Sequence, residues 1–158
     1  IIHPAPEAEG SPRLGVTNRI PLRDADGRGI GLAGFSRSVE NVRARPVTMA
    51  GLARALDHLH DRHAEPVATK HLAKLAGRSA SQFERVFRKT LGTSPRQYLL
   101  RVRVEAACRA LVETDDKLSV IAQRCGFYDQ PHFTRSFTAL MGATPAAYRR
   151  ERRSPQPN

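Results

Sequence analysis

The chain has 158 residues, 40% of them hydrophobic, and carries 26 Lys and Arg against 15 Asp and Glu for a formal net charge of +11. That length and apolar content suit one ordinary domain or two small ones and exclude a disordered chain, while the charge points to an anionic partner, nucleic acid before a membrane, because no apolar run approaches a bilayer span. The first residues lack signal-peptide order, and Cys108 and Cys125 show no CxxC or Cys/His ligand spacing; they read as small reduced core residues of a cytoplasmic protein without zinc, cofactor or membrane contact.

Residues 1–45 hold no sustained helical periodicity. Two short apolar runs, Val16 to Leu22 and Ile30 to Phe35, flank the turn cluster Asp24, Ala25, Asp26, Gly27 and Arg28 and predict a short β-hairpin, with irregular structure as the alternative. Pro21 restricts the first run to an edge strand. The segment PLRDADGRGIGLAGFSRSVE resembles the last two strands of a PAS-type sensor domain, which commonly end in a DxxG turn, a glycine-containing strand and an acidic exit. The resemblance implies that residues 1–45 are a sensor-domain remnant rather than a plain linker.

From Thr48 the pattern becomes helical. Met49, Leu52, Ala53, Leu56 and Leu59 recur at helical spacing behind Thr48 as N-cap, predicting a first helix to about His63. Thr69 is the candidate cap of a short helix closed by Gly77. Ser79 with Gln82 forms a capping box for a helix to Leu91, and Ser94, Pro95 and Gln97 open a long one to about Glu113. Its apolar line is Leu99, Val102, Ala106 and Ala110, flanked by Val104, Ala107 and Leu111. Ser119 is placed as cap of a second short helix, Val120 to Cys125; Asp129 caps Gln130 to Met141; Thr144-Pro145 starts a last helix through Arg150. The expectation is an all-α domain over 46–150, about seven helices in two helix-turn-helix subdomains joined by a long linker helix, with 151–158 as a disordered tail.

Within it one unit occurs twice. FERVFRKTLGTSPRQY, from Phe83, recurs as FTRSFTALMGATPAAY, from Phe133, so that Phe83, Arg85, Phe87, Gly92, Pro95 and Tyr98 match Phe133, Arg135, Phe137, Gly142, Pro145 and Tyr148. Each copy follows a short helix and a glycine turn. With Phe83, Val86 and Phe87 inward, Ser81, Gln82, Glu84, Arg85, Arg88 and Lys89 lie on or beside the outer face; the second copy similarly exposes Gln130, Pro131, His132, Thr134 and Arg135. Arginine's fork matches guanine O6 and N7, which makes Arg85 and Arg135 the candidate base readers of double-stranded DNA. Arg78, Arg96, Arg101, Arg103 and Arg109 are candidates for phosphate contacts. The linker helix, about 30 Å long at 1.5 Å per residue, approaches the roughly 34 Å repeat of B-DNA, so two reading helices could enter successive major grooves.

Residues 48–150 resemble the DNA-binding domain of the AraC/XylS family of bacterial transcription regulators. LAKLAGRSASQFERVFRKTLGTSPRQYLLRVRVEAA matches its first helix-turn-helix and linker helix, and IAQRCGFYDQPHFTRSFTALMGATPAAYR its second unit. The resemblance implies base-reading positions at Ser81, Glu84 and Arg85 and at Gln130, Pro131, Thr134 and Arg135, activation of transcription by contact with RNA polymerase, and a homodimer formed through an N-terminal domain outside this sequence. Two residues depart from a good reader: Pro131 has no backbone donor, and Glu84 repels phosphate unless it accepts from a cytosine amine.

Other constellations carry less. Asp57, His58, His60, Asp61 and His63 have the spacing of metal ligands but also of a solvated helix face. No GxSxG, Walker loop, HExxH or helix-opening GxGxxG is present, and no enzymatic activity is expected.

Overall fold

In the computed structural model the backbone is described for residues 2–4, 14–23, 29–38 and 46–153, and the side chains for 50–153. Three antiparallel strands, β1 (Ile2–Pro4), β2 (Leu14–Arg23) and β3 (Gly29–Ser38), form a sheet in that order. β2 and β3 are the expected hairpin, with Asn18 opposite Phe35 and Ile20 opposite Ala33; its turn, residues 24–28, lies outside the described residues. Among the described residues β1 pairs with residues 14–16 and Pro21 of β2 is paired on one side, with Leu32 of β3, which suits its missing N–H.

Seven helices follow among the described residues: α1 (Pro46–Asp61), α2 (Thr69–Leu75), α3 (Ala80–Leu91), α4 (Pro95–Glu113), α5 (Leu118–Arg124), α6 (Gln130–Met141) and α7 (Pro145–Arg153). Helices α3, α4 and α6 begin and end where their caps predict. Ser79 with Gln82 and Ser94 with Gln97 form reciprocal capping boxes, and Gly92 and Gly142 end α3 and α6 in the left-handed conformation. The short helices do not. Thr69 lies inside α2, whose N-cap is Ala68, and Ser119 lies inside α5, whose N-cap is Lys117; neither cap residue offers a side-chain bond. Packing rather than capping fixes these two starts. α1 likewise begins at Pro46, a residue preorganised for a first helical turn, ahead of Thr48.

The helices enclose two cores. Leu52, Leu56 and Leu59 of α1, Leu72 and Ala73 of α2, Phe83 and Phe87 of α3, and Tyr98, Leu99 and Val102 of α4 form the first. Val104, Ala107, Cys108 and Leu111 of α4, Ile121 and Ala122 of α5, Phe127, and Phe133 and Phe137 of α6 form the second. The apolar residues of α4 are thus not one line. Val102 faces the first core and Val104, two positions or about 200° further round the helix, faces the second. Val86, expected inside, is only partly buried.

The duplication is larger than the sixteen residues that betray it in the sequence. Arg103 on α4 donates from Nε to the His63 carbonyl at 2.8 Å and from Nη2 to the Glu65 carbonyl at 2.9 Å, closing the loop after α1. Fifty positions on, Arg153 of α7 donates from Nε to the Val112 carbonyl at 3.1 Å and from Nη2 to the Thr114 carbonyl, closing the loop after α4. The same atoms of each guanidinium take equivalent carbonyls. Each unit therefore runs opening helix, support helix, outer helix, closing helix, and α4 closes the first unit while opening the second. Its change of face follows from serving both. α7 continues to Arg153, three residues into the expected tail, because Arg149, which donates to the Leu111 and Asp116 carbonyls, and Arg153 bind the unpaired C-terminal carbonyls of α4 and the turn beyond it.

Each unit is built on the same aromatic ladder. Phe83 and Phe87 have centroids 5.4 Å apart and Phe87 meets Tyr98 edge-on at 5.6 Å; Phe133 and Phe137 are 5.6 Å apart and Phe137 meets Tyr148 edge-on at 5.4 Å. These pairs contribute about 0.5–1.5 kcal/mol each beyond the area they bury. The tyrosine hydroxyls end differently. Tyr98 bonds His60 at 2.9 Å, whereas Tyr148 lies beside the Cys108 thiol.

Burial pushes the Cys108 thiol up to about 11 and also raises that of Cys125. Iodoacetamide at pH 8 is expected to leave both unmodified in the folded chain and to label both in urea; rapid labelling of the folded chain would contradict this packing. Burial also lowers the His60 pKa from 6.5, so just below that value the folded state binds fewer protons than the unfolded chain. Stability is therefore fully present above the unfolded value and is lost as pH falls from it through the lower folded value. Urea midpoints should drop between about pH 7 and 5, and less so in His60→Gln.

Candidate nucleic-acid interface

The aromatic ladder turns one face of α3 and α6 inward and so sets which residues stay outside. Ser81, Gln82, Glu84, Arg85, Arg88 and Lys89 on α3, Arg96 on α4, and Gln130, Pro131 and Arg135 on α6 are all exposed. His132 and Thr134 are half-buried. The His132 ring meets Phe127 edge-on at 5.6 Å, which leaves less of it available than the helical periodicity implied.

The helix starts are held by their caps. Ser79 Oγ accepts from the Gln82 N–H at 3.3 Å while Gln82 Oε1 accepts from the Ser79 N–H, so the carboxamide oxygen of Gln82 is already engaged and its amide nitrogen is the end left for a ligand. In α6, Asp129 Oδ1 accepts from the His132 N–H at 2.6 Å. Pro131 sits in the first turn, where its missing N–H breaks no helical bond.

The cations divide into two sets. Arg54 donates to the Leu75 carbonyl, Arg62 pairs with Glu65, Arg124 pairs with Asp116, Arg152 lies over the Tyr148 ring, and Arg103, Arg149 and Arg153 bind carbonyls. Arg85, Arg88, Lys89, Arg96, Arg101 and Arg135 make no such bond to another described residue, and neither do the exposed Lys70, Lys74 and Lys117. Arg103, expected at phosphate, belongs to the first set because its guanidinium is taken up by two backbone carbonyls. Arg109 approaches Glu105 at 3.9 Å and remains largely exposed.

The arginines of the second set lie on α3, the N-terminal half of α4, and α6, while its lysines also include Lys70 and Lys74 on α2 and Lys117 at the start of α5. Arg101 and Arg135 line one open cleft of about 370 Å³ between α4 and α6, with Gln97 and Ser136 among its other walls. None of the residues lining it is acidic, so two cations share a concave surface without internal neutralisation. Such a surface attracts a polyanion at long range and offers paired donors at contact.

Sequence reasoning missed Tyr128. The backbone bond from Phe127 N–H to the Ala122 carbonyl matches that from Arg78 N–H to the Ala73 carbonyl, which makes Phe127 the counterpart of Arg78 and Tyr128 the inserted residue of the second turn. Its side chain is 93% exposed beside the N-terminus of α6. The signal was an aromatic lying outside the buried stripe, between a core plug and a cap.

The histidine tract on α1 is otherwise engaged. His60 bonds Tyr98, His63 Nδ1 meets the His60 carbonyl at 2.8 Å, and His58 packs on His71. Among the described residues no group of three or more His, Cys, Asp or Glu is disposed to hold a metal ion, and no helix is long and apolar enough to cross a membrane.

The sequence profile of a helix-turn-helix domain family matches residues 72–151. Among curated proteins the chain is 43% identical over 79 residues to an HTH-type transcriptional regulator of Mycobacterium tuberculosis, covering 50% of this chain and 30% of the relative. It is 34% identical over 94 residues to the transcriptional activator NphR of a Rhodococcus species, covering 60% and 27%. The chain spans about a third of the length of the curated relatives it matches. Among solved structures, an AraC-type DNA-binding-domain regulator from Chromobacterium violaceum aligns with a TM-score of 0.64 at 31% identity, covering 70% of this chain and 99% of that one. The DNA-binding domain of AdpA, solved with a target DNA, aligns with a TM-score of 0.64 at 32% identity, covering 68% and 97%.

Because Ser79 and Asp129 cap the two outer helices, Ser79→Ala and Asp129→Ala should each lower stability by about 1 kcal/mol in urea denaturation. A change within experimental error would mean that packing alone sets those starts.

Proposed function

The chain belongs to the AraC-type helix-turn-helix domain family, and from that premise we propose that it binds double-stranded DNA sequence-specifically through α3 and α6, set in successive major grooves, as the output domain of a transcription regulator. The observation that carries the reading is the division of the cations. A fold that spends Arg54, Arg103, Arg149 and Arg153 on its own carbonyls leaves Arg85, Arg88 and Lys89 on α3, Arg96 and Arg101 on the first half of α4, and Arg135 on α6, with Arg101 and Arg135 lining one cleft.

In this reading Arg85 and Arg135 address base edges, with Ser81, Gln82, Glu84, Gln130, Pro131 and Thr134 around them, while Arg88, Lys89, Arg96, Arg101 and His132 address phosphate. Tyr128 adds apolar contact to a sugar or a thymine methyl beside the second helix. Residues 46–153 are the reading domain. Residues 1–45 are the end of a PAS-type sensor or a linker to it, and the whole protein is a cytoplasmic activator that touches RNA polymerase and dimerises through an N-terminal domain. No catalysis forms part of the proposal.

A duplex selected from a random pool tests this directly. Arg85→Ala or Arg135→Ala should cost about 1–3 kcal/mol on the selected site and relax preference at one base position. Arg96→Ala or Arg101→Ala should weaken selected and random duplex alike and flatten the salt dependence. Tyr128→Ala should weaken binding without lowering thermal stability. Binding that heparin removes equally from every duplex, with no dependence on length or sequence, would instead identify the basic face as a dock for an acidic protein.

A further inference from the structure

The two units share a helix, yet they also touch away from it. The turn that leads into α6 contains Gly126, at φ +80°, and a Cβ placed there would lie 2.7 Å from the Ala64 carbonyl oxygen, 2.8 Å from Ala64 Cα and 2.8 Å from the His63 carbonyl oxygen. The backbone of the second unit therefore rests directly on the loop that leaves α1 of the first. Gly77, the matching residue of the first unit, has φ +64° and would have nothing within 4 Å of its Cβ. Both glycines are needed to turn the chain, but only Gly126 is also needed to admit a neighbour. The loop it rests on is the one that Arg103 holds through the His63 and Glu65 carbonyls. Arg153 makes the equivalent bonds in the second unit.

We propose that Arg103, by fixing the His63–Glu65 loop as a seat for Gly126, is the positioning residue that sets the two reading helices in one relative orientation and so makes the protein selective for the spacing between its two DNA boxes. The proposal rests on the reading that both α3 and α6 enter DNA. An α4 helix attached to its two cores on opposite faces fixes each unit along the axis; the seat supplies a second point of attachment, and two points are what stop one body from rocking on another. Arg153 has the same local chemistry in the second unit, which makes it a matched control. A merely structural role would move both arginine variants alike.

The test compares the 158-residue chain with Arg103→Gln, Arg103→Lys and Arg153→Gln. Lysine keeps the charge but cannot span both carbonyls, and it serves if the glutamine variant fails to fold. Binding is measured to a two-box duplex selected from a random pool and to the same duplex with one or two base pairs inserted between the boxes. Residual dipolar couplings of the free chain report whether the two units share one alignment. The wild type and Arg153→Gln should share one alignment and lose about tenfold in affinity per inserted base pair, the order of one lost base contact. The Arg103 variants should need two alignments and lose less than about threefold, with binding to a single box unchanged. Retention of one alignment and of the spacing preference in the Arg103 variants, or an equal loss in Arg153→Gln, overturns the proposal. Failure of the wild type to bind any duplex would count against the DNA reading instead, and the dipolar couplings would still decide the role of Arg103.

Discussion

Everything outside the two units depends on what is locked inside them. Phe83, Phe87 and Tyr98, and again Phe133, Phe137 and Tyr148, stack along one side of an outer helix and its closing helix, and the four phenylalanines are at most 1% exposed. A helix with one stripe so firmly held cannot rotate, and its opposite stripe is presented to solvent in a fixed order. Arg85 and Arg135 occupy the same place on that stripe because the phenylalanines do. The geometry of the candidate interface is thus a consequence of hydrophobic packing, and the cations are passengers on it.

The second constraint is the closure of each unit by one arginine. A chain leaving a helix carries carbonyls without backbone partners at the helix end and in the turn beyond it, and a guanidinium from the helix packed alongside can take them up. Arg103 and Arg153 supply it at equivalent carbonyls, and Arg149 adds a second clamp at the end of α4. Such internal use of arginine matters for function as well as stability. It commits those guanidiniums to the fold and leaves uncommitted arginines on α3, on the first half of α4 and on α6, with Arg101 and Arg135 both lining the cleft between α4 and α6.

Much of this was legible in the residues. Capping boxes at Ser79 and Ser94, the Asp129 cap, and the glycines after α3 and α6 mark helix ends by local chemistry alone, and the structure places those ends where the chemistry does. The starts of α2 and α5 were misplaced because Thr69 and Ser119 look like caps, whereas the buried pairs Leu72–Ala73 and Ile121–Ala122 set where those helices lie. The two-faced character of α4 was hidden because its apolar residues, read as one line, belong to two lines on opposite sides. The role of Arg103 could not be read at all: it lies 40 positions from His63, and nothing in its neighbours distinguishes an arginine bound to backbone from one facing solvent. Tyr128 was overlooked for a different reason, since the first copy holds no residue to compare with it.

The central claim is that two equivalent helices, oriented by one aromatic ladder each, read two stretches of one duplex from the same side. Interference by methylation of guanine N7 on a selected duplex tests it most directly, because that atom is where an arginine fork must bind in the major groove. Two clusters of interference about one helical turn apart, one lost in Arg85→Ala and the other in Arg135→Ala, are the predicted result. A single cluster, or interference that neither substitution removes, would contradict it.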